Sequence, residues 1–193
     1  MAFIKENKMD GMTPNDIIDF RLLRNHTFVL NGEINEQSVE EAIRWLLFEN
    51  IESENKELVM YINSVGGNLQ DAFALIDVMR LSQYPIRTIG IGNVLSSGFL
   101  IFAAGTKGRR FISKNTSIMC HQYSDSIDSV KHHDIKSFAK ESENTNLRMM
   151  NFLKEASGLN ASVIKKKLLP PTDVWLTAEE LIEFGIADDI FKT

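Results

Sequence analysis

The chain lacks the features that mark secreted, membrane and disulfide-stabilised proteins. It has one cysteine in 193 residues, Cys120, so it cannot form an intramolecular disulfide, which suits a reducing cytoplasm. No apolar run reaches about 18 residues, the length that a transmembrane helix needs. The N-terminal residues are polar and interrupted by glycine and proline, unlike a signal peptide. We therefore expect a cytoplasmic protein without a membrane segment.

A large excess of positive charge is also missing. The formal net charge is −5, and the basic residues are dispersed except at 109–110 and 165–167. This distribution argues against nucleic acid as the main partner. With 44% hydrophobic and 24% charged residues, the chain is neither disordered nor membrane-like in composition. Its length fits one domain, predicted to span 1–193 with a flexible N-terminal arm at 1–15.

What is present is an alternation of strand-like and helix-like segments, which is typical of an α/β fold. The predicted strands are 27–30, 57–63, 86–91, 110–113, 116–121 and 187–191. The predicted helices are 17–24, 38–50, 69–81, 97–104, 130–157 and a last one stopped by Gly185. Asn31-Gly32 predicts a turn that closes the first strand. Ser38 predicts a helix cap, and Thr177 with Glu180 predicts a capping box.

The segment 130–157 is the longest predicted helix, about 40 Å at 1.5 Å per residue. Its apolar residues form a thin stripe on an otherwise polar surface. Such a helix cannot lie wholly on one small core, so we expect it to project and to pack against a partner.

Two strand–helix junctions, 63–67 and 92–98, are unusual in composition, and ligands of α/β folds bind at such junctions. In the second junction a sharp turn could expose the Ser96 hydroxyl, and N–H groups at the start of the next helix could stabilise an oxyanion. The alternative is that Ser96 or Ser97 only caps that helix. The paired glycines of the first junction offer further N–H groups, with an ordinary loop as the alternative.

Four histidines could supply a base for this serine. His121 ends an apolar strand, a position from which a side chain reaches a strand-end site, although a structural role is the alternative. His132 and His133 open the long polar helix and are expected to be solvated, and His26 has no obvious partner. Cys120 precedes His121 on the strand, so their side chains point to opposite faces and Cys120 is interpreted as core.

The carboxylate that would orient the histidine cannot be chosen from local sequence. Six aspartates lie within range, namely Asp125, Asp128, Asp134, Asp173, Asp188 and Asp189. No closely spaced set of His, Cys, Asp and Glu has the spacing of a metal site, and no phosphate loop of the GxxxxGK type occurs. We therefore expect no metal and no organic cofactor.

Five ordered motifs together resemble the proteolytic subunit of the Clp protease, the ClpP family. They are RLLRNHTFVLNGEI at 21–34, YINSVGG at 61–67, SSGFLIFAAGTKGRR at 96–110, IMCHQ at 118–122 and DVWLTAEE at 173–180. The resemblance covers nearly the whole chain, from about Asp16 to Ile190. It implies a crotonase-like α/β fold of repeated βαβ units, from which the long helix at 130–157 protrudes as a handle.

The same resemblance implies roles for single residues. Ser96 stands at the nucleophile position, His121 at the base and Asp173 at the carboxylate of a Ser-His-Asp triad. The backbone N–H groups of Gly66 and Ser97 fall where the family builds its oxyanion hole. The implied activity is that of a serine endopeptidase that hydrolyses peptides and unfolded proteins through an acyl-enzyme.

The resemblance also implies an assembly. Subunits would form two stacked heptameric rings, a homo-oligomeric tetradecamer around a closed chamber, with the handle helices interdigitating between the rings. ATP would be consumed only by a separate AAA+ unfoldase of an ATP-dependent Clp protease. Neither nucleic acid nor a membrane is expected as a partner.

Departures from the family pattern leave two alternatives open. Val65 stands where the family has a proline, and Ser97 stands where it has a methionine. The stretch 123–128 stands in place of the family's proline and paired glycines, and 169–172 in place of a charged stretch. The changed stretch after His121 and the longer approach to the aspartate favour a catalytically inactive structural or regulatory subunit. The other alternative is acyl-CoA chemistry, since crotonase enzymes share the fold and use paired backbone N–H groups, although they need no Ser–His pair at this spacing.

Overall fold

The structure is a computed structural model, and it describes residues 11, 13–51, 56–124 and 131–192, with only the backbone of His132 and His133. Most of the predicted arm at 1–15 lies outside the described residues, as do the candidate carboxylates Asp125 and Asp128.

Along the described residues, helices and strands alternate from α1 to β4, as the sequence pattern predicts, after which β5 directly follows β4 and α6 directly follows α5. The strands are β1 (Thr27–Ile34), β2 (Leu58–Gly67), β3 (Ile86–Leu95), β4 (Arg110–Ile112), β5 (Ser117–Cys120), β6 (Val174–Leu176) and β7 (Asp189–Ile190). The helices are α1 (Pro14–Arg24), α2 (Glu36–Glu49), α3 (Leu69–Leu81), α4 (Ser97–Ala103), α5 (His132–Ser157), α6 (Ala161–Lys167) and α7 (Ala178–Glu183).

The strands form one sheet that divides at β3. The order β1-β2-β3-β4-β7 is parallel throughout. Residues 88–90 of β3 pair with β4, whereas residues 93–95 pair in parallel with β5, which in turn pairs antiparallel with β6. The predicted α/β fold class is confirmed. Because β2, β3 and β5 are mutually parallel, their carboxyl ends lie at the same edge of the sheet.

Helix α4 is buried along its whole length because its sequence, SGFLIFA, has no charged or strongly polar face. All of its residues are buried, and the helix contacts β2, β3, α3 and α5. Fully burying each phenylalanine, leucine or isoleucine contributes about 1.5–3 kcal/mol. This packing fixes the start of α4 and therefore the turn at Ser96 that precedes it.

Two local predictions are wrong. β1 does not end at Asn31-Gly32, because the strand runs on and its pairing with β2 shifts register between Asn31 and Glu33. Gly32 has φ +94° at this irregularity, a conformation that glycine adopts without steric cost. Ser38 is not the cap of α2 either. Asn35 caps the helix, and Ser38 is its third residue, with a hydroxyl that accepts a hydrogen bond from the Asn35 N–H over 3.1 Å.

Helix α5 has 26 residues and covers most of the predicted segment 130–157. Its C-terminal half packs on the core through Met149, Phe152 and Leu153, whereas no residue of 134–144 is buried. The first half of α5 is therefore largely exposed, as its polar sequence predicts, while its role as a protruding handle stays a prediction. Within the described ranges, no helix is both long and apolar enough to cross a membrane.

Candidate active site

Ser96 lies on a strained turn between β3 and α4. Its φ of 53° and ψ of −123° fall outside the regions normally allowed to a residue with a side chain. Among the described non-glycine residues, only His26 shares a positive φ. The Ser96 N–H donates to the Met119 carbonyl over 2.9 Å, which ties the turn to β5. Strain of this kind occurs at active sites, where the surrounding structure maintains it.

The Ser96 hydroxyl is hydrogen-bonded to His121, and its Oγ lies 2.7 Å from the histidine Nε2. The residues meet because β3 and β5 pair in parallel with Leu95 opposite Met119, so the residues after these strands are neighbours. With the ring proton on Nδ1, Nε2 accepts from the hydroxyl and can take its proton as a general base. Ser96 makes no capping hydrogen bond to α4, so the helix-cap alternative is wrong for this side chain.

Asp173 directly precedes β6, the strand that pairs with the end of β5 just before His121. β6 pairs with β5 so that Val174 is opposite Cys120. Continued by one residue, this antiparallel register sets Asp173 opposite His121 and on the same face. Asp173 is exposed, and no hydrogen bond between the two side chains occurs in the described part of the chain. Its role as the third triad member stays a prediction.

The other described aspartates have different surroundings. Asp134 and Asp189 are exposed. Asp188 accepts hydrogen bonds from two nitrogens of the Arg110 guanidinium at 2.9 and 2.7 Å. Burial acts to raise the pKa of Asp188, but the hydrogen bonds and the charge of Arg110 together lower that pKa below its ordinary value. Asp188 is therefore engaged in a structural ion pair.

Gly66, the predicted oxyanion donor, packs against the Ser96 turn but directs its N–H elsewhere. This N–H donates to Ser64 Oγ over 3.0 Å. A Cβ at Gly66 would lie 2.6 Å from Ser96 Cβ and 2.8 Å from the Leu95 carbonyl oxygen, so a side chain has no room there. Gly67, rather than Gly66, lines the pocket beside the serine.

Ser97, the other predicted donor, is the first residue of α4. Its N–H has no carbonyl partner within the helix, because the first N–H groups of a helix have none. Ser97 is buried next to Ser96 and lines the same pocket. Its N–H is therefore available to an oxyanion that develops beside Ser96.

A pocket of about 180 Å³ opens beside Ser96 and His121. Its lining comes from the ends of β2, β3 and β5 and from α3, α4 and α5, namely Gly67, Asn68, Leu69, Gln70, Ser96, Ser97, Leu100, Cys120, His121, Gln122, Tyr123, Ser124 and Met149. The two junctions that stand out in the sequence therefore meet at one pocket. Among the described residues, no group of three or more His, Cys, Asp or Glu side chains could hold a metal ion.

Two further candidates have structural roles. His26 Nδ1 lies 2.9 Å from Glu49 Oε2, a partner that the sequence did not reveal. Cys120 is buried in the core, which confirms its interpretation. Burial raises the pKa of the Cys120 thiol to about 12. The thiol is therefore neutral at physiological pH and is not a competing nucleophile.

A serine on a strained strand-to-helix turn, hydrogen-bonded to a histidine beside unpaired N–H groups, is the arrangement of a serine hydrolase. The family model for Clp protease matches residues 10–193. All of this chain aligns, at 32% identity, with 96% of "ATP-dependent Clp protease proteolytic subunit 2" from Treponema denticola. The chain belongs to the Clp protease family, and the predicted class of serine-type peptidase is confirmed. Membership of this family implies an oligomeric proteolytic assembly that works with Clp ATPases.

Sequence reasoning did not single out Ser64, and it marked Gly67 only as one of the paired glycines without choosing it as the oxyanion donor. Both lie in the junction 63–67, whose composition already marked it. The direction of each N–H in this junction depends, however, on how β2 pairs with β1. That pairing is irregular before Glu33, and no local sequence signal reports it.

Proposed function

We propose that this chain is a serine endopeptidase that cleaves peptides and unfolded proteins as the proteolytic component of an ATP-dependent Clp protease. The observation that carries the proposal is the 2.7 Å hydrogen bond from Ser96 Oγ to His121 Nε2 on a strained turn. This contact joins a nucleophile to a base at the edge of a pocket that can receive substrate.

The reaction begins when Ser96 Oγ attacks the scissile carbonyl carbon while His121 Nε2 takes the hydroxyl proton. The carbonyl electrons move to oxygen and give a tetrahedral oxyanion. His121 then gives its proton to the leaving amine as the C–N bond breaks, which leaves an ester on Ser96. Water, deprotonated by His121, hydrolyses this ester and restores both residues. The proposed reaction uses only protein groups and water, so it includes no cofactor.

The oxyanion is bound in this proposal by the N–H groups of Ser97 and Gly67. Gly66 is replaced as a donor because its N–H already donates to a side-chain hydroxyl. The Asn68 N–H donates to the Ile34 carbonyl of β1 over 2.8 Å. Neighbouring amides of an extended strand point to opposite sides, so the Gly67 N–H faces away from β1. Each such donor typically contributes about 10²- to 10³-fold in kcat.

Asp173 is the proposed orienting group for the Nδ1 proton of His121. The β5–β6 register supports this role, because it ends with Cys120 opposite Val174 and, continued by one residue, would set Asp173 opposite His121. Asp173→Asn is expected to lower kcat by about 10⁴-fold, since an amide favours the wrong tautomer of the imidazole. Asp189→Asn, at another exposed aspartate, is the matched control and should keep wild-type kcat. If Asp173→Asn is as active as Asp189→Asn, Asp173 does not orient His121.

The proposed assembly has two stacked heptameric rings around a chamber, with α5 as the handle between them. The largely exposed first half of α5 supports this arrangement. In the same proposal a separate AAA+ unfoldase consumes ATP, which the name of the Treponema denticola relative supports. The same proposal places the protein in the cytoplasm, which is supported by the lack of any cysteine pair that could form a disulfide within the chain.

A second candidate function is a structural or regulatory subunit that does not cleave. One observation favours it, namely that Asp173 is exposed and forms no hydrogen bond with His121 in the described part of the chain. The short contact between Ser96 and His121 opposes it, because a subunit without activity has no need of that contact. Acyl-CoA chemistry finds no support in the family match.

Hydrolysis of a fluorogenic peptide by the purified full-length chain separates these functions. Ser96→Ala and His121→Ala are each expected to lower kcat by about 10⁶-fold. Ser117→Ala, which removes an exposed hydroxyl at the start of β5, is the control and should leave kcat unchanged. An assembled wild type that cleaves nothing would support the structural subunit instead.

A further inference from the structure

Ser64 lies beneath the active site, and its hydroxyl joins β1 to the glycine turn of β2. Ser64 is 1% exposed. Its Oγ donates to the Gly32 carbonyl over 2.6 Å and accepts from the Gly66 N–H over 3.0 Å. A hydroxyl has one proton and two lone pairs, so both bonds can form at once. Ser64 therefore fixes the Gly66 N–H to a strand that takes no part in the chemistry.

The turn that Ser64 holds touches the nucleophile directly. A Cβ at Gly66 would lie 2.6 Å from Ser96 Cβ and 3.1 Å from Ser97 N. Ser64 also packs under the first turn of α4, since a Cβ at Gly98 would lie 3.0 Å from Ser64 Cβ and 3.2 Å from its Oγ. A change at Ser64 thus reaches both sides of the oxyanion site.

The hydrogen bond from the Gly66 N–H to Ser64 Oγ influences the direction in which the next N–H, that of Gly67, points. Gly66 and Gly67 have φ of +92° and +150°, so their own sterics hold the turn only weakly. Without an acceptor at position 64, the buried Gly66 N–H would lose a partner, which is costly. The peptide can then recover a hydrogen bond only by rotating. That rotation moves the N–H of Gly67, which lines the pocket.

We propose that Ser64 is a positioning residue for oxyanion binding, whose hydroxyl holds the Gly66 N–H and so keeps the N–H groups of Gly67 and Ser97 directed at the developing charge. This role rests on the proposed peptidase function. It acts on the transition state rather than on substrate binding, because the oxyanion exists only after the carbonyl has become tetrahedral.

Kinetics and inhibitor binding test this role in the full-length assembled protein. Ser64→Ala is expected to lower kcat by about 10²-fold with KM changed by less than about threefold. Affinity for a peptide boronic acid should fall in proportion to kcat/KM, since its tetrahedral adduct on Ser96 presents an oxygen to the same N–H groups. Ser64→Cys retains a weak donor and acceptor, so its kcat should lie between those of wild type and Ser64→Ala.

Thr88→Val is the matched control for loss of a buried hydroxyl. Thr88 is fully buried near the start of β3, and its Oγ1 donates to the Phe102 carbonyl over 2.9 Å. Both Thr88→Val and Ser64→Ala are expected to lower the Tm, whereas only the Ser64 variants should lower kcat. Ser64→Cys decides the outcome if Ser64→Ala does not fold.

Three results would overturn the positioning role while leaving the peptidase function intact. They are wild-type kcat in the Ser64 variants, an effect confined to KM, and a boronate affinity that does not follow kcat/KM. A folded wild type that cleaves no peptide would overturn the peptidase function itself, and the positioning role with it.

Discussion

Ser96 adopts a backbone conformation that costs about 1–3 kcal/mol, and several contacts maintain it. Its N–H is bonded to the Met119 carbonyl, its Oγ is bonded to His121, and its Cβ lies against Gly66. In this backbone conformation the Ser96 hydroxyl faces the imidazole of His121 and does not cap the start of α4. The Ser96 hydroxyl is therefore oriented by its neighbours before any substrate arrives.

The contact with Gly66 leads to the first prediction. Gly66→Ala is expected to lower kcat by about a hundredfold, because its Cβ would lie 2.6 Å from Ser96 Cβ and would displace the nucleophile. Gly108→Ala is the matched control, since Gly108 has φ +85° but nothing within 4 Å of a Cβ. Peptide hydrolysis by both variants checks this, and equal losses would show that backbone strain alone is responsible.

The Cys120 thiol gives a second prediction at this scale. Because burial raises its pKa to about 12, almost none of it is thiolate at pH 7.5, and iodoacetamide should neither modify the folded protein nor inhibit it. After unfolding in urea the same thiol should react fully. Mass spectrometry of intact protein measures both states. Inhibition coupled to Cys120 modification of the folded protein would contradict its place in the core.

Motif order in the sequence was sufficient to select Ser96 and His121, because each lies at the end of a strand within a recognisable segment. It was insufficient to choose between Gly66 and Gly67, whose N–H groups point in directions set by pairing with β1. It was also insufficient for Asp173, because reach to His121 depends on side-chain rotation and not on register alone.

At the scale of elements, a buried ion pair joins three parts of the fold. Arg110, at the start of β4, bonds both carboxylate oxygens of Asp188 just before β7, and its Nη1 donates to the Ala156 carbonyl near the end of α5. The guanidinium satisfies these acceptors in one plane, as its fork geometry allows. The root of α5 is thereby fixed to the edge of the sheet.

The lowered pKa of Asp188 makes its contribution to stability dependent on pH. A lowered folded pKa means that the contribution is complete above the ordinary value of 3.8 and is lost as pH falls through the lower folded value. Asp188→Asn should therefore reduce the free energy of unfolding by about 2 kcal/mol at pH 6, less than for a fully buried pair because Asp188 is 18% exposed. The difference from wild type should shrink below pH 3.8.

Urea unfolding of Asp188→Asn at several pH values provides the measurement. The control is Asp189→Asn, which alters an exposed neighbour and should change stability by less than about 0.5 kcal/mol at every pH. A difference between wild type and Asp188→Asn that stays constant down to pH 2 would refute the ion-pair account.

Helices with strong periodicity and clear caps were predicted well, whereas β6 and the end of β1, which depend on pairing between strands, were not. α3 has its predicted bounds, and Thr177 caps α7 through the predicted box, because periodicity and caps are local properties. β6 was not predicted, since a three-residue strand exists only through its antiparallel pairing with β5. The end of β1 was misplaced because its pairing with β2 overrides the turn preference of Asn31-Gly32.

At the scale of the whole molecule, the first half of α5 packs on no core formed by the residues that the structure describes. Residues 134–144 include no buried side chain, and Ile135 is 49% exposed. An exposed apolar residue on a largely exposed helix segment is suited to a contact with another subunit. Assembly is therefore expected to cover this half of the helix.

Native mass spectrometry of the full-length chain is expected to give a tetradecamer. Ile135→Asp places a charge in the proposed contact between rings and should release single heptameric rings, since an unpaired charge is costly to bury. Ser137→Asp is the control, because Ser137 is exposed but lies about 200° around the helix from Ile135 and so faces away from the proposed contact, and it should leave the tetradecamer intact. A wild type that is monomeric at micromolar concentration would contradict the proposed ring assembly.

Covalent labelling tests the assignment of Ser96 as nucleophile most directly. The assembled protein is treated with a fluorophosphonate probe, and the adduct is located by peptide mass spectrometry. The predicted result is an adduct on Ser96 that is absent from Ser96→Ala and forms far more slowly in His121→Ala. An assembled particle in which Ser96 remains unlabelled, or in which another residue carries the adduct, would contradict the assignment.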